Sequence, residues 1–103
     1  DQRFAESRAA TLKRKGRSSR AVAANLSAKG VSRELAQAAS AGSEEDELAA
    51  ARKAARRKRL GPWNRGDRAA NRQKDLAALA RAGFPMTIAR AVIDGPGEEE
   101  FAG

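Results

Sequence analysis

Apolar side chains recur along this chain at helical spacing, interrupted at regular points by glycine and serine. Phe4, Ala5, Ala9 and Leu12 fall on one stripe, with Arg3, Ser7 and Arg14 pointing elsewhere. Gly16 ends that first helix. Ser18 or Ser19 caps a second, which turns Val22, Ala23 and Leu26 inward and stops at Gly30. Val31 then precedes Ser32, a good N-cap, and a short third helix carries Leu35 and Ala39. None of the three is long enough to be stable alone, so they must pack on one another.

A turn at Gly42 leads to Ser43, with Asp46 three residues on, a shortened capping box. The helix predicted from Glu44 to about Leu60 is the longest. Glu44, Glu45, Asp46 and Glu47 fill its first turn, and Arg56, Arg57, Lys58 and Arg59 its end, which suits the helix dipole at both ends. Leu48, Ala51 and Ala55 form its narrow apolar stripe. Gly61, Pro62 and Gly66 break the pattern, with Trp63 inside the loop. A fifth helix is predicted from near Asp67 to Ala82 with Leu76 and Leu79 inward. Gly83 stops it, and Pro85 opens a sixth with Ile88, Val92 and Ile93.

The two halves repeat. The segment Leu26–Lys29–Gly30–Val31–Ser32 matches Leu79–Ala82–Gly83–Phe84–Pro85 at an offset of 53, and Leu35 and Ala39 then fall on Ile88 and Val92. The fold class expected is therefore all-α, six helices in tandem three-helix units. Residues 1–42 form the first unit and 43–94 the second, with 95–103 a disordered acidic tail. Leu12, Val22, Leu26, Val31 and Leu35 are expected to be buried in the first unit. Leu48, Leu76, Leu79, Phe84, Ile88 and Val92 are their counterparts in the second, with Phe4 and Met86 as further core candidates.

Composition narrows the chemistry. Ala supplies most of the apolar fraction of 41%, and three Phe and one Trp are the only aromatics, so the core must be thin. There is no Cys for a disulfide or a thiolate, and no His for acid–base work near neutral pH or for metal binding. No phosphate-cradling Gly-rich loop or paired catalytic carboxylates occur. The chain is read as a binding protein rather than an enzyme, needing no cofactor or metal. It lacks a membrane-length apolar run and a secretory signal, which places it in the cytoplasm with no membrane partner. It opens on Asp1 without Met, and the expectation is that something precedes it.

Charge changes the picture most. Lys and Arg number 21 against 13 acids, for +8 overall. Four of the acids lie in residues 94–103, which hold no base, so residues 1–93 carry +12. A body that basic attracts polyanions through counterion release. Two dense clusters stand out: Lys13, Arg14, Lys15, Arg17 and Arg20, and Arg52, Lys53, Arg56, Arg57, Lys58 and Arg59. Lys53, Arg56 and Arg57 lie off the Leu48/Ala55 stripe, facing solvent or a partner. Arg52 and Arg59 border the stripe and can lay their stems on the core. Six bases in eight residues repel one another, which an anionic partner explains better than a structural role.

The junctions at Gly30 and Gly83 have the form of a helix-turn-helix. The helices after them offer only Arg33, Gln37 and Arg90 as groove-reading side chains, fewer than sequence-specific readout normally uses. Trp63 is read as tucking back over the thin core, with stacking on a base or a partner as the alternative.

Asp1–x–Arg3–Phe4–Ala5, Arg8, Lys15–Gly16, Leu26–x–x–Lys29–Gly30–Val31, Glu47 with Ala51, and Leu79–x–Arg81–x–Gly83–Phe84 with Ile88 and Val92 together resemble the RecX regulators of the RecA recombinase. The resemblance runs from Asp1 to about Ile93. It implies a tandem array of three-helix units of which this chain holds the second and third. It further implies binding to the RecA–DNA filament and down-regulation of RecA's ATPase, strand-exchange and co-protease activities in DNA repair and the SOS response. The partners so implied are the RecA filament and single- and double-stranded DNA, met through phosphate contacts by a monomer. Ala82 stands where the family often has a second Arg before the Gly, and no catalytic residue carries over. The alternative from another class is a stand-alone helical DNA- or RNA-binding protein.

Overall fold

The structure, a computed structural model, describes residues 1–97. Six helices follow in order: α1 (Gln2–Arg14), α2 (Ser19–Ala28), α3 (Arg33–Ser40), α4 (Glu44–Lys58), α5 (Arg72–Arg81) and α6 (Met86–Ile93). A single 3-10 turn, Gly61–Trp63, lies between α4 and α5, and no strand occurs among the described residues. The ranges of α2 and α5, and of α3 and α6, differ by 53 residues at both ends, the same offset that relates the sequence halves.

The starts of these helices are set by side chains that accept otherwise unpaired backbone N–H groups. Asp1 accepts from Phe4 N at 2.8 Å, Ser32 Oγ from Leu35 N at 3.3 Å, and Ser18 Oγ from Ala21 N at 3.0 Å. Ser18, rather than Ser19, is thus the cap of α2. The Ser43–Asp46 capping box closes in both directions, at 3.1 and 3.3 Å. Helix ends close by a 6→1 bond around a left-handed residue. Val31 N reaches Leu26 O around Gly30, and Phe84 N reaches Leu79 O around Gly83. Helix α4 closes the same way, Leu60 N to Ala55 O, but around Arg59 at φ 59°, a conformation that costs a non-glycine residue about 1 kcal/mol.

Helix α5 begins at Arg72, five residues later than the spacing predicts. Asp67 does act as a cap, accepting from Ala70 N at 3.1 Å, but of a separate turn. Tertiary bonds break the helix there. Buried Asp75 of α5 accepts from Gly61 N at 2.8 Å and Asn64 Nδ2 at 3.0 Å, pulling the loop back onto its own helix. Arg68, in the turn, donates to Ile93 O at 2.9 Å and so caps α6.

Buried side chains fall into two clusters. Ala5, Ala9, Leu12, Val22, Leu26 and Ala36 come from α1–α3. The larger cluster, from α4–α6 and the loop, includes Leu60, Leu76, Leu79, Phe84, Ile88, Val92 and Ile93 packed on Ala50, Ala51, Ala54 and Ala55. Val31, Leu35 and Leu48, expected inside, are only half-buried, while Phe4 and Met86 are 44% and 41% exposed. Alanine explains the exchange. Helices that meet through Ala approach closely, so Ala36 and Ala50–Ala51 take the seam and the neighbouring Leu side chains fall at its edge.

The three-helix groups meet at a polar corner. The Glu47 carboxylate of α4 accepts from Ser19 N at 3.0 Å and Ser19 Oγ at 3.2 Å, at the electropositive start of α2. Ser18 Oγ, while capping α2, donates to Ala82 O at 2.9 Å at the end of α5.

Candidate functional site

The same corner brings the two basic clusters together. Gly16, at φ +85°, lets the chain turn out of α1 against α4 so tightly that a Cβ there would lie 3.1 Å from Lys53 Cβ and 3.3 Å from Ala50 O. The last carbonyls of α1 have no partner within their own helix and carry its partial negative charge. Helix α4 supplies the donors: Lys53 Nζ reaches Arg14 O at 2.8 Å and Arg57 Nη1 reaches Lys15 O at 2.6 Å. Lys53 and Arg57 sit beside the basic end of α1 because each meets a carbonyl dipole there rather than another cation. Lys53 and Arg57, expected to face only solvent or a partner, are therefore tied into the joint as well as exposed.

Two grooves flank Lys53. One, of about 360 Å³, is lined by Lys13, Arg14, Asp46, Ala49, Ala50 and Lys53. The other, of about 230 Å³, is lined by Ala49, Arg52, Lys53, Arg56 and Trp63. Lys53 and Ala49 belong to both, so the surface is continuous from the end of α1 to the Trp63 loop. The one acid in it, Asp46, is engaged in the capping box. Lys13 Nζ also donates to Ala41 O at 2.8 Å, and Arg14 Nη2 to Thr11 Oγ1 at 3.2 Å, which fixes both stems without neutralising them.

Trp63 packs half-buried against the larger core, as its loop position suggested, and also borders the basic surface. The Arg52 guanidinium lies over its ring, 5.3 Å from the centroid, a cation–π arrangement not foreseen from spacing. The indole Nε1–H is enclosed and meets no acceptor among the described residues. Arg17, Arg20, Lys58 and Arg59 are exposed but line neither groove, and Arg20 Cβ sits beside the Gly83 turn. Arg33, Gln37 and Arg90 are exposed on α3 and α6.

Two features escaped the sequence reading. Asp75 is buried and holds the Trp63 loop in place; its signal was an acid directly beside Leu76 on the inward side of α5. Arg72 and Asp94 form a bidentate pair at 2.7 and 2.8 Å that joins the start of α5 to the end of α6. The hydrogen bond from the Arg72 guanidinium holds the Asp94 carboxyl below the usual carboxylate range, against partial desolvation and with help from Arg68 and Arg90. Among the described residues no cluster of acids could hold a metal ion, and no helix is long and apolar enough to cross a membrane.

Comparison with known proteins bears on the first three helices and on most of the chain's length. The family described as RecX, second three-helix domain, matches residues 1–39. The chain is 48% identical over 98 residues to the regulatory protein RecX of Myxococcus xanthus (strain DK1622), a match covering 91% of this chain and 52% of the relative. It thus spans about half the length of the curated relative it matches. No solved structure matches it. On the family match across α1–α3 and an identity that extends through nearly all of both halves, the chain belongs to the RecX family of regulatory proteins.

Proposed function

We propose that this chain binds the RecA–DNA nucleoprotein filament and lowers RecA's recombinase, ATPase and co-protease activities, acting in DNA repair and the SOS response as a binding protein without catalysis of its own. The observation that carries this reading is the 48% identity to regulatory protein RecX, extending through both halves of the chain. The basic surface of Lys13, Arg14, Arg52, Lys53 and Arg56 supplies the means: cations along the α1–α4 corner suited to a phosphate backbone. Arg33, Gln37 and Arg90 are spread over two separate helices, an arrangement that suits backbone contact better than base readout. Single- and double-stranded DNA are both partners on this reading, because phosphates are common to them.

The test compares affinity for bare single-stranded DNA with affinity for the same strand coated by RecA, alongside RecA ATPase in the presence of the chain. Tighter binding to the coated strand together with a fall in ATPase is the expected result. Equal affinity for both strands with undiminished ATPase would leave a general nucleic-acid-binding protein instead.

A further inference from the structure

The joint between the two three-helix groups holds no apolar core of its own. Every extensively packed pair of helices lies within α1–α3 or within α4–α6, and the two buried clusters share no residue. A short connection, residues 41–43, links α3 to α4. The bonds across the joint are of two kinds. At the start of α2, Glu47 accepts from Ser19, and Ser18 donates to Ala82 O. Along the basic surface the donors are cations: Lys53 Nζ on Arg14 O, Arg57 Nη1 on Lys15 O, and Lys13 Nζ on Ala41 O of the connection itself.

Lys53 and Arg57 are exposed, so phosphates can reach them. A phosphate oxygen offers an ammonium or guanidinium a full negative charge, where a carbonyl offers only a dipole. A phosphate seated on these side chains as they stand would also face the last carbonyls of α1, the negative end of that helix, which repel it. Moving the end of α1 away relieves the repulsion. Because no apolar core spans the joint, the movement exposes little apolar surface.

We infer that the joint is a hinge latched by Lys53 and Arg57, and that a polyanion taking these two side chains releases the end of α1 and lets the groups swing apart. The inference rests on the reading of the basic surface as phosphate-binding and adds what binding does to the protein. The same two cations serve either the joint or the nucleic acid. The bonds of Glu47 and Ala82 to the start of α2 involve no cation and keep the groups together as they turn.

The chain has no cysteine, so spin labels can be placed without competing sites. Ala38→Cys on α3 and Ala91→Cys on α6 are exposed positions at the repeat offset of 53, and they line neither groove of the basic surface. The distance between labels is measured by double electron–electron resonance, free and with saturating oligothymidylate, whose binding is followed by fluorescence anisotropy. Two variants are compared in this background. Lys53→Met/Arg57→Met removes the latch donors. Gly16→Ala keeps every cation but sets a Cβ 3.1 Å from Lys53 Cβ, forcing the end of α1 off α4.

A narrow distance distribution in the free protein should broaden and shift by on the order of 5 Å when oligothymidylate binds. Both variants should show the broad distribution without it. Gly16→Ala, already open, should bind oligothymidylate about two- to fivefold more tightly, and the methionine variant more weakly. A distribution that stays narrow in the bound protein overturns the hinge and leaves the basic surface rigid. A narrow distribution in the free methionine variant overturns the assignment of Lys53 and Arg57 as its latch. Anisotropy that registers no binding by any form instead sinks the phosphate-binding reading, and the release with it.

Discussion

Gly83 and Ser18 meet at the corner between the three-helix groups with no room for a side chain: a Cβ on Gly83 would lie 2.6 Å from Ser18 Oγ. Gly30, its equivalent at the offset of 53, has the same left-handed backbone, at φ +89° against +98°, but nothing within 4 Å of a Cβ. The pair separates backbone strain from contact. Gly30→Ala should cost about 1 kcal/mol, the strain alone. Gly83→Ala should cost roughly 1–3 kcal/mol more, since Ser18 is itself committed to Ala21 N and Ala82 O and cannot swing away cheaply. Urea unfolding of both variants checks this; equal losses would mean that the corner yields freely.

Phe4 and Phe84 look alike in the sequence as aromatic core candidates, but Phe4 is 44% exposed and Phe84 only 4%. Phe84→Ala is expected to lose about 3–5 kcal/mol, enough to unfold so small a unit, and Phe4→Ala less than about 1 kcal/mol. Thermal melts followed by circular dichroism distinguish the two.

The basic residues should divide by what their nitrogen atoms touch. Lys53→Ala and Arg57→Ala release the carbonyls at the end of α1, so each is expected to cost about 0.5–1.5 kcal/mol of stability besides any loss of binding. Arg59→Gly removes a base yet relieves a left-handed non-glycine residue, and should stabilise by up to about 1 kcal/mol. If Arg59 also contacts phosphate, the same variant lowers the slope of log affinity against log salt by about one. A destabilised Arg59→Gly would contradict the cap geometry.

The Arg72–Asp94 pair gives a pH dependence of known sign. Because the folded state holds the Asp94 carboxyl below its ordinary range, the pair's contribution is complete above the unfolded carboxylate range, at about pH 4 and higher, and is lost as pH falls through the folded value. Asp94→Asn should lower the melting temperature at pH 7 and converge with the unaltered protein as the pH falls below the ordinary carboxylate range. A constant difference across that range would exclude titration of Asp94 as its source.

The sequence alone determined the helices, because their signals are local: apolar spacing, the Ser32 and Ser43 caps, and glycines where the chain must turn left-handed. It also supplied the offset of 53 and the family, since repeats and motif order are properties of one dimension. Which stripe residues reach the core was decided in three dimensions. Ala36 and Ala50 displaced Leu35 and Leu48 from the seam because small side chains let helix backbones approach, a distance that no single stripe encodes. The start of α5 was likewise set by Asp75 reaching Gly61 and Arg68 reaching Ile93, bonds between residues 14 and 25 positions apart. The two basic clusters were plain in the sequence as charge. That they share one surface follows from the carbonyls at the end of α1, whose need for donors is met by Lys53 and Arg57 some forty residues away, and only the folded chain brings those groups within reach.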